Sequence, residues 1–174
     1  TRPEIIPTLV LGGFAGIRTA EINRLDWTDI DLDKKMVKLP ASQAKGRARR
    51  IVPLCDAAVA WLKPYASRTG KVAYYAETNK YAAAVMSDVQ TARELKGYFS
   101  VPEWRRNALR HSYISYRLAE IQNAHQVALE AGNSENIIFK NYRELVTTKQ
   151  AKQWFSIFPK KEQNIIHMLP SAVS

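Results

Sequence analysis

Trp27-Thr28-Asp29-Ile30-Asp31-Leu32 alternates large apolar and polar side chains one for one, the period of a strand with one face buried and the other in water. Two further short runs of the same kind follow, Met36-Val37-Lys38-Leu39 and Arg50-Ile51-Val52-Pro53. Asp33-Lys34-Lys35 joins the first pair, and the basic segment from Ser42 to Arg49, with Gly46 to turn it, joins the second. Three consecutive strands with such links predict an antiparallel meander. On both sides of it the period becomes helical. Upstream, Glu4 to Phe14 and Thr19 to Leu25 read as helices, the second with Thr19 as N-cap. Downstream, helices are predicted over Ala57 to Ser67, Asn79 to Lys96, Leu109 to Ile121, Asn123 to Ala131, Ile137 to Tyr142 and Thr148 to Phe155, with breaks at Gly70, Pro102, Gly132 and Pro159. The fold class expected is mainly α with a small three-stranded antiparallel sheet (α+β), in one domain.

The chain has 174 residues, with 26 Lys and Arg against 16 Asp and Glu, a formal net charge of +10. Its 46% hydrophobic residues suffice for a core, which excludes disorder as a description of the whole. The longest apolar and glycine run, Leu9 to Ile17, is too short for a bilayer, and no signal peptide precedes it. A single cysteine, Cys55, excludes an intramolecular disulfide framework and a thiolate zinc site. These features point to a cytoplasmic protein without a membrane partner. The surplus of positive charge asks for a polyanion, of which nucleic acid is the commonest.

Several residue groups bear on chemistry. Asp26, Asp29, Asp31 and Asp33 do not form a calcium loop. Counted from Asp29, Lys34 stands where glycine is needed and Pro40 where glutamate is needed. They read as the wet face of a strand and its turn. His111, His125 and His167 are too scattered for a metal triad. The glycines between Leu11 and Gly16 lack the Lys-Ser/Thr ending of a phosphate loop and read as sites of close packing before Arg18. Arg18 follows that apolar run directly, and Arg110 shares a helix face with Ile114, Leu118 and Ile121. Two inward arginines suit one phosphate held by bidentate forks; equally, they suit structural bonds to backbone carbonyls. Lys45, on the basic turn, is either a proton donor or a solvated charge. Tyr142, between Asn141 and Arg143, is either an oxygen nucleophile or a packing residue.

Taken in order, five blocks resemble the catalytic domain of the tyrosine recombinases, the phage integrase family. They are Gly16 to Asp31 (Gly-Ile-Arg-Thr-Ala-Glu-Ile-Asn-Arg-Leu-Asp-Trp-Thr-Asp-Ile-Asp), Lys45 to Leu54, Ala108-Leu109-Arg110-His111-Ser112-Tyr113, Ala131-Gly132-Asn133-Ser134, and Asn141-Tyr142-Arg143. The resemblance runs from about Pro3 to Phe155. It implies a site-specific recombinase that cleaves and rejoins DNA through a 3′-phosphotyrosyl intermediate, with no metal and no other cofactor. It further implies that Arg18 and Arg110 clamp the scissile phosphate, Lys45 protonates the departing 5′ oxygen, Tyr142 is the nucleophile, and Glu21 buttresses the arginines. Arg47, Arg49, Arg50, Arg105 and Arg106 are left for the flanking DNA backbone.

Two positions depart from the family pattern. Asn107, three residues before Arg110, and Asn133, after Gly132, stand where histidine is usual. Asparagine can donate a hydrogen bond to a phosphate oxygen but cannot exchange a proton near neutral pH. His111 lies about 100° round an ideal helix from Arg110 and reads as a supporting residue that substitutes poorly for them. A degenerate integrase-fold DNA-binding module and a type IB topoisomerase are the alternative readings. The resemblance also implies a catalytic domain over residues 1–160, a tail over 161–174 that is passed between protomers, and a core-binding domain ahead of this fragment. The partner implied is double-stranded DNA, bound by a homo-oligomer (a tetramer) that is monomeric without it, in a nucleoid-associated prokaryotic or phage setting.

Overall fold

A computed structural model of the chain describes residues 3–41, 49–73, 107–142 and 145–160. The helix predicted from Asn79 to Lys96, the break at Pro102, the residues Lys45, Arg47, Arg105 and Arg106, and the tail 161–174 lie outside the described residues. The chain begins with a 3-10 turn, Pro3–Ile5, that runs into helix α1, Ile6–Ala15. Proline at its first turn suits the start, where an amide hydrogen has no helical partner. Gly16 ends it in the left-handed conformation at φ 60. Helix α2, Thr19–Ile22, is shorter than its apolar pattern. Its N-cap is Arg18, not Thr19: the Arg18 amide donates to Glu21 Oε2 at 3.1 Å, which closes the first turn from the other side.

The stretch that reads as the first strand is mostly a turn. Trp27–Asp29 form a 3-10 helix because two carboxylates cap it locally: Asp26 accepts from the Thr28 amide at 3.3 Å, and Asp29 accepts from the Asp26 amide at 3.0 Å. Such short side chains offer the backbone an alternative to a ladder. Strand β1 is left with Ile30–Asp31, followed by β2, Met36–Leu39, and β3, Arg50–Pro53, in the expected antiparallel order β1-β2-β3. Val37 faces Val52 and Leu39 faces Arg50 across the second pair. Val37, Leu39 and Val52 are fully buried. Helix α3, Asp56–Leu62, yields to a 3-10 turn at Lys63–Tyr65, where Pro64 lacks the amide hydrogen needed to continue. Four helices complete the described chain: α4, Ala108–Ile121; α5, Ala124–Ala131; α6, Glu135–Tyr142; and α7, Thr148–Phe155. Asn123 and Thr147 cap α5 and α7 with their side chains.

Two apolar clusters result. The first gathers Leu11, Ile17, Ile22, Leu25, Val37, Leu39, Val52 and Leu62 around the sheet. The second gathers Tyr113, Ile114, Val127, Ala128, Ala131, Ile138 and Tyr142 between α4, α5 and α6. Helix α1 joins them by packing against α3 and α4. Its glycines allow the close approach: a Cβ on Gly12 would lie 3.2 Å from the Leu109 side chain, and Trp154 of α7 donates to the Gly13 carbonyl at 2.9 Å. Among the described residues no helix is long and apolar enough to cross a membrane.

Candidate active site

The seam between the two clusters is where the cations collect. Arg18 and Glu21 come from the N-cap and first turn of α2, Arg50 from β3, and Arg110 from the first turn of α4. Gly132 and Asn133 come from the turn after α5. Arg110 is 6% exposed, and its guanidinium donates to the Gly16 carbonyl, to the Ala131 carbonyl at 2.7 Å, and to Asn133 Oδ1 at 2.9 Å. Arg18 Nη2 reaches the Gly132 carbonyl at 2.5 Å and the same Asn133 oxygen at 2.9 Å. These carbonyls belong to the C-terminal ends of α1 and α5, where the helix dipole places partial negative charge and the last carbonyls need donors. The two arginines are thus seated by backbone and tied to each other by one side-chain oxygen.

Two glycines make the seat possible. Gly132 adopts φ 65, and a Cβ there would lie 3.0 Å from Arg50 Nη1 and 3.3 Å from Arg18 Nη1. Gly16 adopts φ 60 with the Tyr113 ring directly against it, so that a Cβ would overlap the ring. Only glycine combines that backbone with such contact at little cost.

Glu21 is wholly buried. It accepts from Arg18 Nη1 at 3.1 Å and from Arg50 through both guanidinium nitrogens, at 3.1 and 2.7 Å. Glu21 thereby ties Arg18 to Arg50. Arg50, expected among the residues for flanking DNA backbone, is instead turned inward: its side chain is 11% exposed and its Nε donates to the Glu130 carbonyl at 3.2 Å. The period of the strand carries the signal for this placement, since Arg50 shares a face with buried Val52 while Ile51 is exposed. Arg49, by contrast, is exposed.

Three guanidiniums against one carboxylate leave a local surplus of two positive charges. Burial, together with repulsion from Arg18 and Arg50, lowers the pKa of Arg110 to about 10, against the attraction of Glu21. It therefore remains charged at neutral pH. Behind it, Glu130 accepts from the Tyr113 hydroxyl at 2.8 Å, from Arg117 at 2.9 Å, and from Gln126 at 3.0 Å. This network fixes the end of α5, whose carbonyls seat the arginines.

Tyr142 closes α6 and is 8% exposed. Its hydroxyl lies 2.6 Å from His111 Nδ1, and the two rings stack with centroids 5.7 Å apart. Burial raises the phenol pKa above its ordinary value, and the charge of Arg110 opposes that rise. His111 thus does more than its offset of 100° from Arg110 implied. Asn107 is the N-cap of α4 with φ 59, a left-handed backbone that asparagine tolerates better than most side chains. Its carbonyl accepts from the His111 amide at 2.9 Å, while its side chain does not cap the helix. A cavity of about 570 Å³ opens beside Tyr142, lined in part by Leu118, Phe139 and Thr148.

The model of the phage integrase family matches residues 9–149. No curated protein sequence matches the chain. Among solved structures, a crystal structure of XerA recombinase superposes with a TM-score of 0.59 at 16% identity, covering 91% of this chain and 60% of that one. The Tn1549 transposon integrase in complex with a circular intermediate DNA gives 0.58 at 14% identity, covering 84% and 56%. The same integrase in complex with transposon right end DNA gives 0.56 at 12% identity, covering 86% and 57%. The chain therefore has the fold of these proteins and spans less than two thirds of their length.

Proposed function

The chain belongs to the phage integrase family, and from that membership we propose that it is the catalytic domain of a site-specific DNA recombinase, which cleaves and rejoins DNA through a 3′-phosphotyrosyl intermediate. The observation that carries the proposal is the pair Arg18 and Arg110, bridged at 2.9 Å each by Asn133 Oδ1 and left with a surplus of positive charge. A phosphodiester brings one negative charge, and more develops on its non-bridging oxygens as the nucleophile adds. Fixed donors aimed at that growing charge are the largest contribution in many such sites. Glu21 and Arg50 hold the cradle in shape, and the Asn133 amide, its oxygen occupied by the arginines, has its NH₂ to offer a phosphate oxygen.

In this reading Tyr142 attacks phosphorus, and Lys45 gives a proton to the departing 5′ oxygen. The energy of the diester is retained in the tyrosyl ester until a DNA hydroxyl reverses the step. Arg47, Arg49, Arg105 and Arg106 are the proposed contacts to the flanking backbone, which makes affinity fall steeply with salt. The solved relatives in complex with DNA support double-stranded DNA as the partner. A nicked suicide substrate, from which the cleaved strand dissociates, tests the proposal. The protein should accumulate a covalent DNA adduct that Tyr142→Phe abolishes, and an adduct that persists in Tyr142→Phe would sink the assignment.

A further inference from the structure

A tyrosine nucleophile must lose its hydroxyl proton as the bond to phosphorus forms. Tyr142 is buried, and burial favours the neutral phenol. Among the described residues of the cradle the guanidiniums are charged, the Glu21 carboxylate is committed to Arg18 and Arg50, and Asn107 and Asn133 replace the residue type that exchanges protons near neutral pH. Among the described residues the hydrogen bond of the Tyr142 hydroxyl goes to His111 Nδ1, at 2.6 Å. The imidazole is held for that contact. The His111 amide bonds the Asn107 carbonyl, Ser115 donates to the His111 carbonyl at 3.0 Å, and the ring stacks on Tyr142 at an interplanar angle of 20°. His111 is exposed, which leaves the residue open to exchange with solvent.

We propose that His111 is the proton acceptor for the Tyr142 nucleophile and supplies the acid-base function that Asn107 and Asn133 lack. This rests on the recombinase reading above. In cleavage the Tyr142 oxygen bonds to phosphorus and its hydrogen passes to Nδ1 of a neutral His111. The bond from phosphorus to the 5′ oxygen breaks with its electron pair on that oxygen, which takes a separate proton from Lys45. In rejoining, the 5′ hydroxyl attacks phosphorus and returns its proton to Lys45, the electron pair of the phosphotyrosyl bond goes to the Tyr142 oxygen, and the His111 imidazolium gives its proton back. One helix thus serves both halves of the reaction. Arg110 points from α4 toward the α1 terminus, and His111, one residue on, points toward α6.

The test is single-turnover adduct formation by the intact protein on a nicked suicide DNA, with DNA affinity measured alongside. His111→Gln is expected to slow adduct formation about a hundredfold or more, the usual effect of losing a proton-transfer group, with affinity unchanged. Replacing Tyr142 with a fluorinated tyrosine, whose phenol is far more acidic, should then restore most of the lost rate in His111→Gln, because little proton remains to be moved. A wild-type rate in His111→Gln overturns the proposal. So does a slow rate that the fluorinated tyrosine fails to restore, which would mark a packing role for the imidazole. Should His111→Gln lose affinity or fold, His111→Asn carrying the fluorinated tyrosine decides by the same criterion. An adduct that survives Tyr142→Phe would instead defeat the recombinase reading itself, a separate outcome.

Discussion

The two apolar clusters meet at one group of guanidiniums but contribute to it differently. The cluster around the sheet supplies Arg18, Glu21 and Arg50, two partly buried guanidiniums joined by charge-assisted bonds to a wholly buried carboxylate. The cluster between α4, α5 and α6 supplies Arg110, the carbonyls of Ala131 and Gly132, and the proposed nucleophile Tyr142. On the first side the carboxylate is committed to two arginines. The second depends on how α5 ends, and its tyrosine is held at the hydroxyl by a single imidazole among the described residues. In the proposed reaction, binding of the phosphate and attack upon it thus rest on separable supports, joined by α4.

Substitutions should separate the supports, beginning with the largest effect. Arg110→Ala removes the donor that spans both sides and is expected to cut single-turnover adduct formation by roughly a thousandfold. A cut of only a few-fold would show that Arg18 alone suffices. Arg50→Ala should act mainly on stability, since it leaves buried Glu21 short of a cation: about 3–5 kcal/mol by denaturant unfolding, with a smaller loss of rate at saturating DNA. Gly16→Ala meets both the left-handed backbone and the Tyr113 ring, and about 3 kcal/mol is expected from the two costs together.

The network behind the cradle adds a pH signature. Burial works against the Glu130 carboxylate, but the bonds and charge of Arg117, with those of Gln126 and Tyr113, outweigh it and hold its pKa below the ordinary glutamate value. A carboxylate with a depressed folded-state pKa contributes stability that is present above its unfolded pKa and is lost as pH falls through the folded value. Unfolding of the wild type should therefore become easier on acidification below about pH 4.3. Glu130→Gln should flatten that part of the profile, and an unchanged acid limb in the variant would contradict the assignment. Smallest of all, Gly70→Ala has the left-handed backbone without any neighbour within 4 Å among the described residues. It should cost only about 1 kcal/mol, and its gap from Gly16→Ala isolates the contact with Tyr113.

Much of the fold was legible. Period-two runs located β2 and β3, and the break at Gly132 falls where α5 ends, whereas the helix expected over Ala57 to Ser67 gives way earlier, beside Pro64. Trp27 to Asp29 was not legible as a turn, because alternation of apolar and polar residues fits a strand and a capped 3-10 turn alike. The carboxylates of Asp26 and Asp29 decide between them. The phosphate arginines were visible as charges in apolar surroundings, yet their carbonyl seats belong to chain segments far apart in sequence. Arg50 was misplaced because the basic run around it suggested a solvated loop, while the alternation with Val52 pointed inward. The contact of His111 with Tyr142 was not legible, for a geometric reason. An offset of 100° excludes sharing a face with Arg110, but it is what allows neighbouring residues to reach α1 and α6.

The central claim is that a preassembled arginine cradle and a separately held tyrosine converge on one phosphorus. A structure of the protein with nicked DNA and orthovanadate, which takes the five-coordinate geometry of the reacting phosphate, measures this directly. The account predicts vanadium bonded to the Tyr142 oxygen, equatorial oxygens within hydrogen-bond reach of Arg18 and Arg110, and the contacts of Arg110 to Gly16 and Ala131 retained. Vanadate bound away from these guanidiniums, or bonded to another side chain, would contradict it.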